Sequence, residues 1–374
     1  MGVFPLPHEV EALLPELGVD SASISRVGTI AGGLSGGRLY RLWLRDTNGR
    51  EREHTRVLKY CEPLEGWLGD TSGDSHVREA QLAASGIVAD LPPGIVTPTM
   101  AVAFRGPRAR PQATALLMRD LLPYLLRQPF RVPPGRLPVE ALAIIDRLAQ
   151  MHARYWSDPR LDDALLGLMT PERALLVTGP RGVAARLAAG DTLPYLAVAD
   201  AGWRDFFALA SDAASQRLQA IMAEPEPLAR VINRLPRTLA HGDVWGPNLG
   251  WLPPNGGKCR LVLLDWALTL AGPATYDPLW LCSTWFSVDP TVLLAAYRAA
   301  LNRRLLARGY QIDDTTWLAL ADAGYLRTVL TCGEALARTA LSVPAGQARQ
   351  RALTRVHWWI ARALRAADRL EHVG

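Results

Sequence analysis

The amino-acid sequence predicts an α+β protein, with a small strand-rich N-terminal part followed by a larger, mainly helical C-terminal part. Two observations predict this class. Apolar and polar residues alternate from Ile24 to Tyr60 and again up to Asp120, around turns rich in Gly, Asp and Asn, as in antiparallel strands. After Asp120 the apolar residues recur with helical spacing. We therefore predict a strand-rich N-terminal part over residues 1–120 and a helical part over 121–374.

The N-terminal part is predicted to combine one antiparallel sheet with two helices. Residues 7–17 have the spacing of a short amphipathic helix, and the segment from His76 to Ser85 has that of a second. Five segments have the alternation of apolar and polar residues that is typical of strands, and turns rich in Gly, Pro or Asp separate them. These segments are 24–33, 37–46, 54–60, 94–104 and 113–121.

The C-terminal part is predicted to be helical apart from one region. Over residues 238–278 short strand-like pieces and loops interrupt the helical spacing. The helices on either side of this region are predicted at 138–156, 203–223, 290–308, 314–342 and 346–371.

Composition and charge exclude several classes of protein. The chain has 374 residues, 49% of them hydrophobic and 21% charged, which is ordinary globular usage and not that of a disordered protein. The net charge is +5, almost all of the basic residues being arginine. A general bias towards arginine explains this modest charge, so no nucleic-acid partner is expected.

Cysteine usage and hydropathy favour a cytoplasmic protein without a membrane partner. The four cysteines lie far apart in the sequence, which predicts reduced thiols and not a disulfide framework. The N-terminal sequence MGVFPLPHEV has no basic start and no long apolar run, so no signal peptide is expected. No apolar stretch reaches the roughly 20 residues of a membrane span. We expect a monomer or a homodimer.

The segment from His241 to Asp265 holds the densest group of residues with a chemical use. Asp243 follows the strand-like sequence TLAH, where its carboxylate can face a cleft and accept a proton. Asn248 offers a neutral amide oxygen that suits Mg²⁺. Asp265 ends the apolar strand LVLL, which would hold its carboxylate at the edge of a buried sheet. One carboxylate and one amide, completed by phosphate oxygens, commonly hold Mg²⁺ beside a nucleotide.

A glycine-rich turn in the N-terminal part suits a phosphate group. The sequence AGGLSGGRLYRL places Gly33, Gly36 and Gly37 around Ser35, between two predicted strands. Glycines let backbone N–H groups approach phosphate oxygens closely. Many hairpins carry such turns, so the turn is informative only together with other residues.

Lys59 is a second phosphate-directed feature of the N-terminal part. The chain has only two lysines, Lys59 and Lys258, and the first lies on a predicted strand 22 residues after Gly37. A compact ammonium can reach between two phosphates where a guanidinium fork fits less well. Glu79, in the predicted helix HVREAQLAA, is placed to hold Lys59 by an ion pair.

These residues resemble a known family. The sequence HGDVWGPN followed by LLDW is similar to the catalytic segment of the aminoglycoside phosphotransferase and choline kinase-like superfamily. The segments REAQLAA, LLMRDL and LAQMHARYW are most similar to its ecdysteroid kinase-like branch and the bacterial relatives of that branch. The resemblance covers roughly residues 25–290. It implies a protein-kinase-like bilobal fold, with a nucleotide-binding N-lobe built on an antiparallel sheet over residues 1–120. The helical C-lobe over residues 121–374 would hold the catalytic and acceptor site. The implied reaction is transfer of the γ-phosphoryl of ATP or GTP to a small-molecule hydroxyl.

The resemblance also implies a role for each matching residue. Lys59 would contact the α- and β-phosphates, and Glu79 would pair with Lys59. Asp243 would be the catalytic base, while Asn248 and Asp265 would bind Mg²⁺. The glycine-rich turn would cover the phosphates. The hinge that meets the nucleobase would consist of Met118, Arg119, Asp120 and Leu121.

Several neighbouring residues are expected to support this chemistry. His241 is assigned to the catalytic group, and we expect it to brace the catalytic loop by hydrogen bonds rather than carry a proton. Asp277 in GPATYDP resembles a later Asp motif of the family and is expected to anchor the same loop. His152 is expected to be a hydrogen-bonded core residue. Trp245 flanks Asp243 and is a candidate for the wall of an acceptor pocket.

Departures from related motifs leave alternatives open. Protein kinases have Phe-Gly after the metal-binding Asp and a later Ala-Pro-Glu, whereas this chain has Asp265-Trp266-Ala267, which argues against a protein kinase. Arg119 stands where relatives often have an acidic residue, so the choice between ATP and GTP stays open. A catalytically silent kinase-like binding module is a further alternative, although no catalytic position is substituted.

The acceptor is predicted to be neutral or anionic rather than polycationic. Residues 274–374 contain twelve arginines and eight acidic residues, which is unfavourable for a polycationic acceptor. Glycosylated or nucleoside antibiotics, sugars, and steroid- or terpenoid-like alcohols all fit. The sequence is therefore compatible with antibiotic inactivation in self-resistance and with a metabolic kinase.

Overall fold

The structure, a computed structural model, describes residues 6–30, 37–45, 54–64, 66–126, 139–253, 259–284 and 289–373. Its packing divides the chain into two compact units, each built from separate stretches of sequence. The first unit consists of Met1–Arg127, Asp162–Leu168 and Pro247–Thr269, and the second of Gln128–Leu161, Met169–Gly246 and Leu270–Gly374. The boundary at 120–121 stays a prediction.

The strands belong to three sheets, of which the first two lie in the first unit and the third in the second. A five-stranded antiparallel sheet has the order β1-β2-β3-β6-β5, a three-stranded sheet the order β4-β9-β8, and β7 pairs with β10. The strands are β1 (Ile24–Ile30), β2 (Arg38–Leu44), β3 (His54–Cys61), β4 (Ile95–Val96), β5 (Thr99–Arg105), β6 (Ala113–Arg119), β7 (Thr238–Ala240), β8 (Leu249–Leu252), β9 (Arg260–Leu263) and β10 (Leu270–Gly272).

The helices are short in the first unit and long in the second. The first unit contains α1 (His8–Glu11), α2 (Gly66–Ser72) and α3 (Arg78–Ala84). The second contains α4 (Val139–Arg154), α5 (Pro171–Leu176), α6 (Pro180–Ala188), α7 (Pro194–Leu209), α8 (Asp212–Ala223), α9 (Glu226–Ile232), α10 (Tyr276–Thr284), α11 (Pro290–Leu306), α12 (Asp314–Ser342) and α13 (Gln347–Val373).

Alternation of side chains explains the five-stranded sheet. Along β2, Tyr40, Leu42 and Leu44 are buried, whereas the residues between them are partly exposed. Successive side chains of a strand point to opposite faces, so these three residues lie on one face. They join a core of the first unit that includes Val10 of α1 and Leu58 of β3. The sheet is thereby fixed in register, because a one-residue slip would expose this apolar set.

Two glycines allow close packing of α7 and α12 in the second unit. A Cβ added to Gly202 of α7 would lie 3.0 Å from the Cβ of Glu334, and one added to Gly333 of α12 would lie 2.7 Å from the Trp203 ring. Trp203 and Phe206 are almost fully buried here and pack edge to face. Gly333 therefore leaves room for both aromatic rings, and Gly202 leaves room for Glu334.

The predicted fold class is confirmed. The structure has an antiparallel N-terminal sheet and a mostly helical C-terminal part, as the sequence patterns indicate. Strands appear in all five segments where they were predicted, and the helix predicted at 314–342 has those bounds. The structure has more helices than predicted, since α2, α5, α6, α9 and α10 are too short for a clear helical period.

Two helix predictions are wrong in extent. The helix predicted at 203–223 is two helices, because Ala210 is extended and the Ser211 side chain accepts the N–H of Ala214, which starts α8. The helix predicted at 7–17 ends as a regular helix at Glu11, and turns follow. Pro15 has no N–H to continue the helical bonding there.

Gly333→Ala is expected to destabilise the protein by up to about 2 kcal/mol. The added methyl overlaps the Trp203 ring, at a cost of about 1–3 kcal/mol, against which alanine adds ~1 kcal/mol by helix propensity. Chemical denaturation measures the change. Leu318→Ala, at an exposed position of the same helix, is the control and should change stability by less than about 0.5 kcal/mol. Equal effects of the two variants would contradict the packing argument.

Candidate functional site

Lys59 forms a buried cluster of charges with two carboxylates in the first unit. Its Nζ lies 2.6 Å from Glu79 Oε2 and 2.9 Å from Asp265 Oδ1. Lys59 and Glu79 are only 6% and 4% exposed. Charges are tolerated at such burial when they are paired and hydrogen-bonded. The ion pair predicted between Lys59 and Glu79 is therefore present, and Asp265 completes the cluster.

The two carboxylates keep Lys59 protonated. Burial is the largest influence and would lower the pKa of Lys59, but the charges of Asp265 and Glu79 outweigh it and hold the pKa well above its usual value. Burial raises the pKa of the Glu79 carboxyl, and the charge of Lys59 acts in the opposite direction. Lys59 is accordingly a permanent cation at neutral pH.

The sheet and a glycine position the ammonium group. Lys59 lies on β3, opposite Leu39 of β2 and Leu116 of β6, so its backbone is held from both sides. A Cβ added to Gly37 would lie 3.2 Å from Lys59 Cε and 2.8 Å from Cys61 Sγ. Glycine at this position leaves room for the lysine stem. The remaining predicted residues of the glycine-rich turn, Gly33, Ser35 and Gly36, lie outside the described residues.

Arg78, beside Glu79 on α3, is a residue that the sequence interpretation missed. Its backbone N–H donates to Asp74 Oδ1 at 2.7 Å at the start of the helix. Its buried guanidinium donates to the carbonyl oxygens of Gly167, at 2.6 Å, and of Ala267. Helix α3 therefore contacts the segment after β9 in two ways. Glu79 binds Lys59, which in turn binds Asp265, and Arg78 binds the backbone at Ala267. In an arginine-rich chain no sequence signal distinguishes this arginine.

Asp265 adopts a backbone conformation that is rare for a residue with a side chain. Its φ is +57°, in the left-handed region, and a 3₁₀ turn over Trp266–Leu268 follows. Thr269 closes this turn, because its Oγ1 donates to the Trp266 carbonyl oxygen at 2.7 Å. Non-glycine residues in this region cost of order 1–3 kcal/mol and concentrate at functional sites. The ion pair with Lys59 and the bond from Arg78 hold the conformation in place.

The β8–β9 hairpin brings Asn248 and Asp265 together. Leu249 of β8 lies opposite Leu263 of β9. Asn248, just before β8, therefore lies beside the residues that follow β9. The N–H of Leu264 donates to the carbonyl oxygen of Asn248 at 2.9 Å. Two residues 17 positions apart in sequence therefore present an amide and a carboxylate to one cavity.

This cavity has a volume of about 260 Å³ and lies within the first unit. Its polar wall consists of Lys59, Glu79, Asn248 and Asp265. The four predicted hinge residues also line it: Met118, Arg119, Asp120 and Leu121. Ile30, Val57 and Leu39 add apolar surface. Asp120 forms an ion pair here, since its Oδ2 lies 2.7 Å from Arg41 Nε. The cavity combines an apolar wall with a charged end.

In the second unit, Asp277 anchors the loop that carries Asp243. Asp277 Oδ2 accepts the N–H of His241 at 2.8 Å, and Oδ1 accepts that of Gly242 at 2.9 Å. The N–H of Asp243 in turn donates to His241 Nδ1 at 3.3 Å, so this histidine braces the loop as expected. Asp243 itself is half-buried, and Trp245 is exposed.

A buried chain of hydrogen bonds continues behind Asp277. His152 Nε2 lies 3.0 Å from Asp277 Oδ2, and His152 Nδ1 hydrogen-bonds the hydroxyl of Tyr297. Burial, with the charge of Asp277, raises the pKa of Tyr297 well above its usual value, so its hydroxyl stays protonated in this network. The expectation that His152 is a hydrogen-bonded core residue is confirmed.

The neighbours of Asp277 keep it ionised. Burial is the largest influence and would raise its pKa. The hydrogen bond and charge of His152, the charge of His241 and the N–H of Gly242 outweigh burial and hold the pKa below its usual value. The carboxylate therefore remains a hydrogen-bond acceptor for the loop through the physiological pH range.

The sequence matches the family model described as the phosphotransferase enzyme family over residues 43–312. This match covers well over half of the chain, so the chain belongs to that family. The predicted enzyme class, a phosphotransferase, and the predicted superfamily are confirmed. No curated protein matches the sequence significantly. Among the described residues, every helix is too short or too polar to cross a membrane.

Solved structures with similarity to the chain include a choline kinase, an ethanolamine kinase and an APH protein. A choline kinase from Cryptosporidium parvum Iowa II is 10% identical, with 94% of this chain and 92% of that chain covered and a TM-score of 0.47. The GDP and kanamycin complex of APH(2")-IIia is 12% identical, with coverage of 98% and 99% and a TM-score of 0.45. An ethanolamine kinase from Plasmodium vivax is 12% identical, with coverage of 90% and 82% and a TM-score of 0.42.

Asp277→Asn is expected to destabilise the protein by about 3 kcal/mol at pH 7, because it removes the charge that pairs with a buried network. The folded pKa of Asp277 lies below the usual 3.8, so its contribution is complete above that value and is lost as the pH falls through the folded pKa. Denaturation between pH 3 and pH 8 should show the two proteins converging below about pH 4.

Asp314→Asn is the matched control for this measurement. Asp314 pairs with Arg298 but its side chain is 94% exposed, so its loss should leave the free energy of unfolding nearly unchanged. A stability difference between wild type and Asp277→Asn that stayed constant down to pH 3 would contradict the lowered pKa.

Proposed function

We propose that this chain is a small-molecule O-phosphotransferase that moves the γ-phosphoryl group of ATP or GTP to an acceptor hydroxyl. The observation that carries the proposal is the buried cluster of Lys59, Glu79 and Asp265 at the charged end of a cavity. A lysine that two acids keep cationic suits contact with the α- and β-phosphates of a nucleotide. Glu79 would keep the ammonium aimed at them.

The rest of the cavity suits the nucleoside. Apolar side chains such as Val57 and Ile30 offer surface for a flat base, while the predicted hinge Met118–Leu121 brings backbone groups to its edge. The carboxylate of Asp120, paired with Arg41, can accept hydrogen bonds from a base, and both adenine and guanine carry amino donors. This chemistry is compatible with either donor nucleotide.

Asn248 and Asp265 fit a magnesium ion. Their side chains offer one amide oxygen and one carboxylate, hard oxygen ligands that Mg²⁺ prefers, and both line the cavity that holds Lys59. Within the described residues no group of three or more His, Cys, Asp or Glu could hold a metal ion, so the nucleotide's own phosphate oxygens would complete the shell. Mg²⁺ bound there would screen the charge of the β- and γ-phosphates.

Asp243 is the proposed catalytic base. The acceptor oxygen forms a bond to the γ-phosphorus while the bond to the β–γ bridging oxygen breaks, and the nucleoside diphosphate leaves. The hydroxyl proton passes to the Asp243 carboxylate. Because phosphoryl transfer has a loose transition state, orienting the hydroxyl contributes more than strong basicity. His241 contributes by holding the loop through its bond from the Asp243 N–H.

The proposed acceptor is a neutral or anionic, partly apolar alcohol. The chain from residue 274 onwards carries an excess of arginine, which disfavours a polycation. Trp245 lies two residues after Asp243 and is 38% exposed, so its ring is available for stacking on a sugar or a fused ring system. Antibiotic inactivation and a metabolic sugar, steroid or terpenoid kinase are the two roles that fit. We expect a cytoplasmic reaction, where nucleoside triphosphates are available.

Asp243→Asn is expected to lower kcat at least about 100-fold while nucleotide affinity changes less than threefold, because it removes the proton acceptor and leaves the cavity intact. Water can replace the acceptor hydroxyl, so phosphate release from ATP or GTP with Mg²⁺ measures the reaction before an acceptor is known. Asp205→Asn, an exposed position on α7, is the control. Equal losses of nucleotide binding and turnover would count against the base assignment.

Thermal stability with ATP or GTP tests the donor site. We expect stabilisation by one nucleotide that depends on Mg²⁺ and corresponds to about 2.7 kcal/mol at a hundredfold excess over Kd. Asp265→Asn should abolish the Mg²⁺-dependent part, whereas Asp70→Asn, an exposed carboxylate on α2, should retain it. A nucleotide complex that forms equally well without Mg²⁺ and releases no phosphate would favour the silent binding module.

A further inference from the structure

Arg327 is a fully buried cation in the second unit that no step of the proposed reaction uses. It lies on α12, and its guanidinium carbon is 5.0 Å from the ring centre of Tyr276 and 4.6 Å from that of Trp280. Its Nε donates to the carbonyl oxygen of Ala174 at 3.2 Å, and its Nη2 donates to that of Gly242 at 2.8 Å. Burying a guanidinium is expensive, so a buried one calls for a reason beyond packing.

The bonding of Arg327 is incomplete for a purely structural cation. Nη1 is buried and has no hydrogen-bond partner among the described residues. Burial is the largest influence on its pKa and lowers it, while the charges of Asp277 and Asp243 act in the opposite direction. If stability alone mattered, an apolar side chain would fill this position at lower cost. The bond from Arg327 to the Gly242 carbonyl therefore points to a role beyond stability.

The Gly242 carbonyl belongs to the peptide bond that leads into Asp243. Peptide groups are planar, so holding both ends of this group fixes the direction in which the Asp243 backbone continues. Arg327 holds the oxygen end, and His241 Nδ1 accepts the N–H at the other end. The N–H of Gly242 itself is bound by Asp277 on the opposite side. Two oppositely charged buried groups thus clamp the residue before Asp243.

We propose that Arg327 is a positioning residue for phosphoryl transfer, which orients the Asp243 carboxylate by holding the carbonyl of Gly242. A charge-assisted bond from a guanidinium is stronger and more directional than one from a neutral donor. Gly242 has a φ of +82°, so the loop turns sharply at this point and depends on external partners for its orientation. This inference rests on the proposed role of Asp243.

The test compares wild type with Arg327→Met and Arg327→Lys. Phosphate release from ATP or GTP with Mg²⁺, nucleotide affinity and thermal stability are measured on each protein. For the Met variant we expect kcat per folded molecule to fall about 10- to 100-fold, because small displacements of a reacting group have effects of this size. Nucleotide affinity should change less than threefold. The Lys variant should recover part of the loss, since its ammonium can donate to Gly242.

Arg369→Met is the control for loss of another arginine contact to α12. Arg369 of α13 binds Asp322 of α12 through Nε at 2.7 Å, and Asp322 is almost fully buried. This variant should lose stability comparably and keep the wild-type kcat per folded molecule. A fall in its kcat equal to that of Arg327→Met would overturn the inference, because both effects would then follow from loosening α12.

The Asp243→Asn background separates this inference from the proposed function. Suppose that Asp243→Asn lowers kcat. If adding Arg327→Met to this variant lowers kcat no more than twofold further, the two residues act as one unit, as expected. If Arg327→Met alone leaves kcat at the wild-type value, only the inference fails. If Asp243→Asn keeps the wild-type kcat, both fail.

Arg327→Lys tests the positioning role of Arg327 if the Met variant does not fold. Its ammonium lacks the fixed fork of a guanidinium, so we expect a kcat three- to tenfold below wild type with unchanged nucleotide affinity. A wild-type kcat in the Lys variant would overturn the inference.

Discussion

The ion cluster of Lys59, Glu79 and Asp265 is the interaction on which the first unit's site depends. Each of the three charges comes from a different element, namely β3, α3 and the turn after β9. Neither Lys59 nor Glu79 would be tolerated at its depth alone, because an unpaired buried charge is unstable. The cluster therefore requires the sheet, the helix and the β8–β9 hairpin to be assembled at once. It also keeps the Lys59 ammonium charged beside the cavity.

Positive backbone φ angles and buried charged groups occur together at the two loops with proposed roles. Asp265 has a left-handed backbone, which the Lys59 ion pair and the bond from Arg78 to Ala267 hold in place. Gly242 has a positive φ as well, and Asp277 and Arg327 bind it from two sides. In both loops, buried charged groups bind backbone atoms and leave the direction of a neighbouring carboxylate little freedom. Preorganisation of this kind is what a reaction governed by positioning requires.

Much of the fold follows from local pattern. The strands of the large sheet and the helix α12 were predictable because alternation and the helical period persist over many residues there. The break between α7 and α8 was not predictable from periodicity, since the apolar spacing continues across Ser211 while the backbone does not. Short helices such as α5 and α9 carry too few turns to show a period. Family membership supports the enzyme class that the motif predicted.

The sequence by itself determined the α+β class, the phosphotransferase motif and the pairing of Lys59 with Glu79, because these depend on residue type and on spacing along the chain. Only the tertiary structure decided that Asp265 joins this pair, that Arg78 binds the carbonyl of Ala267, and that Arg327 binds that of Gly242. These contacts join residues 85 to 206 positions apart. The chain has many arginines, and Arg78 and Arg327 differ from the others in their burial and in the backbone atoms that they bind. Neither property follows from a local sequence pattern.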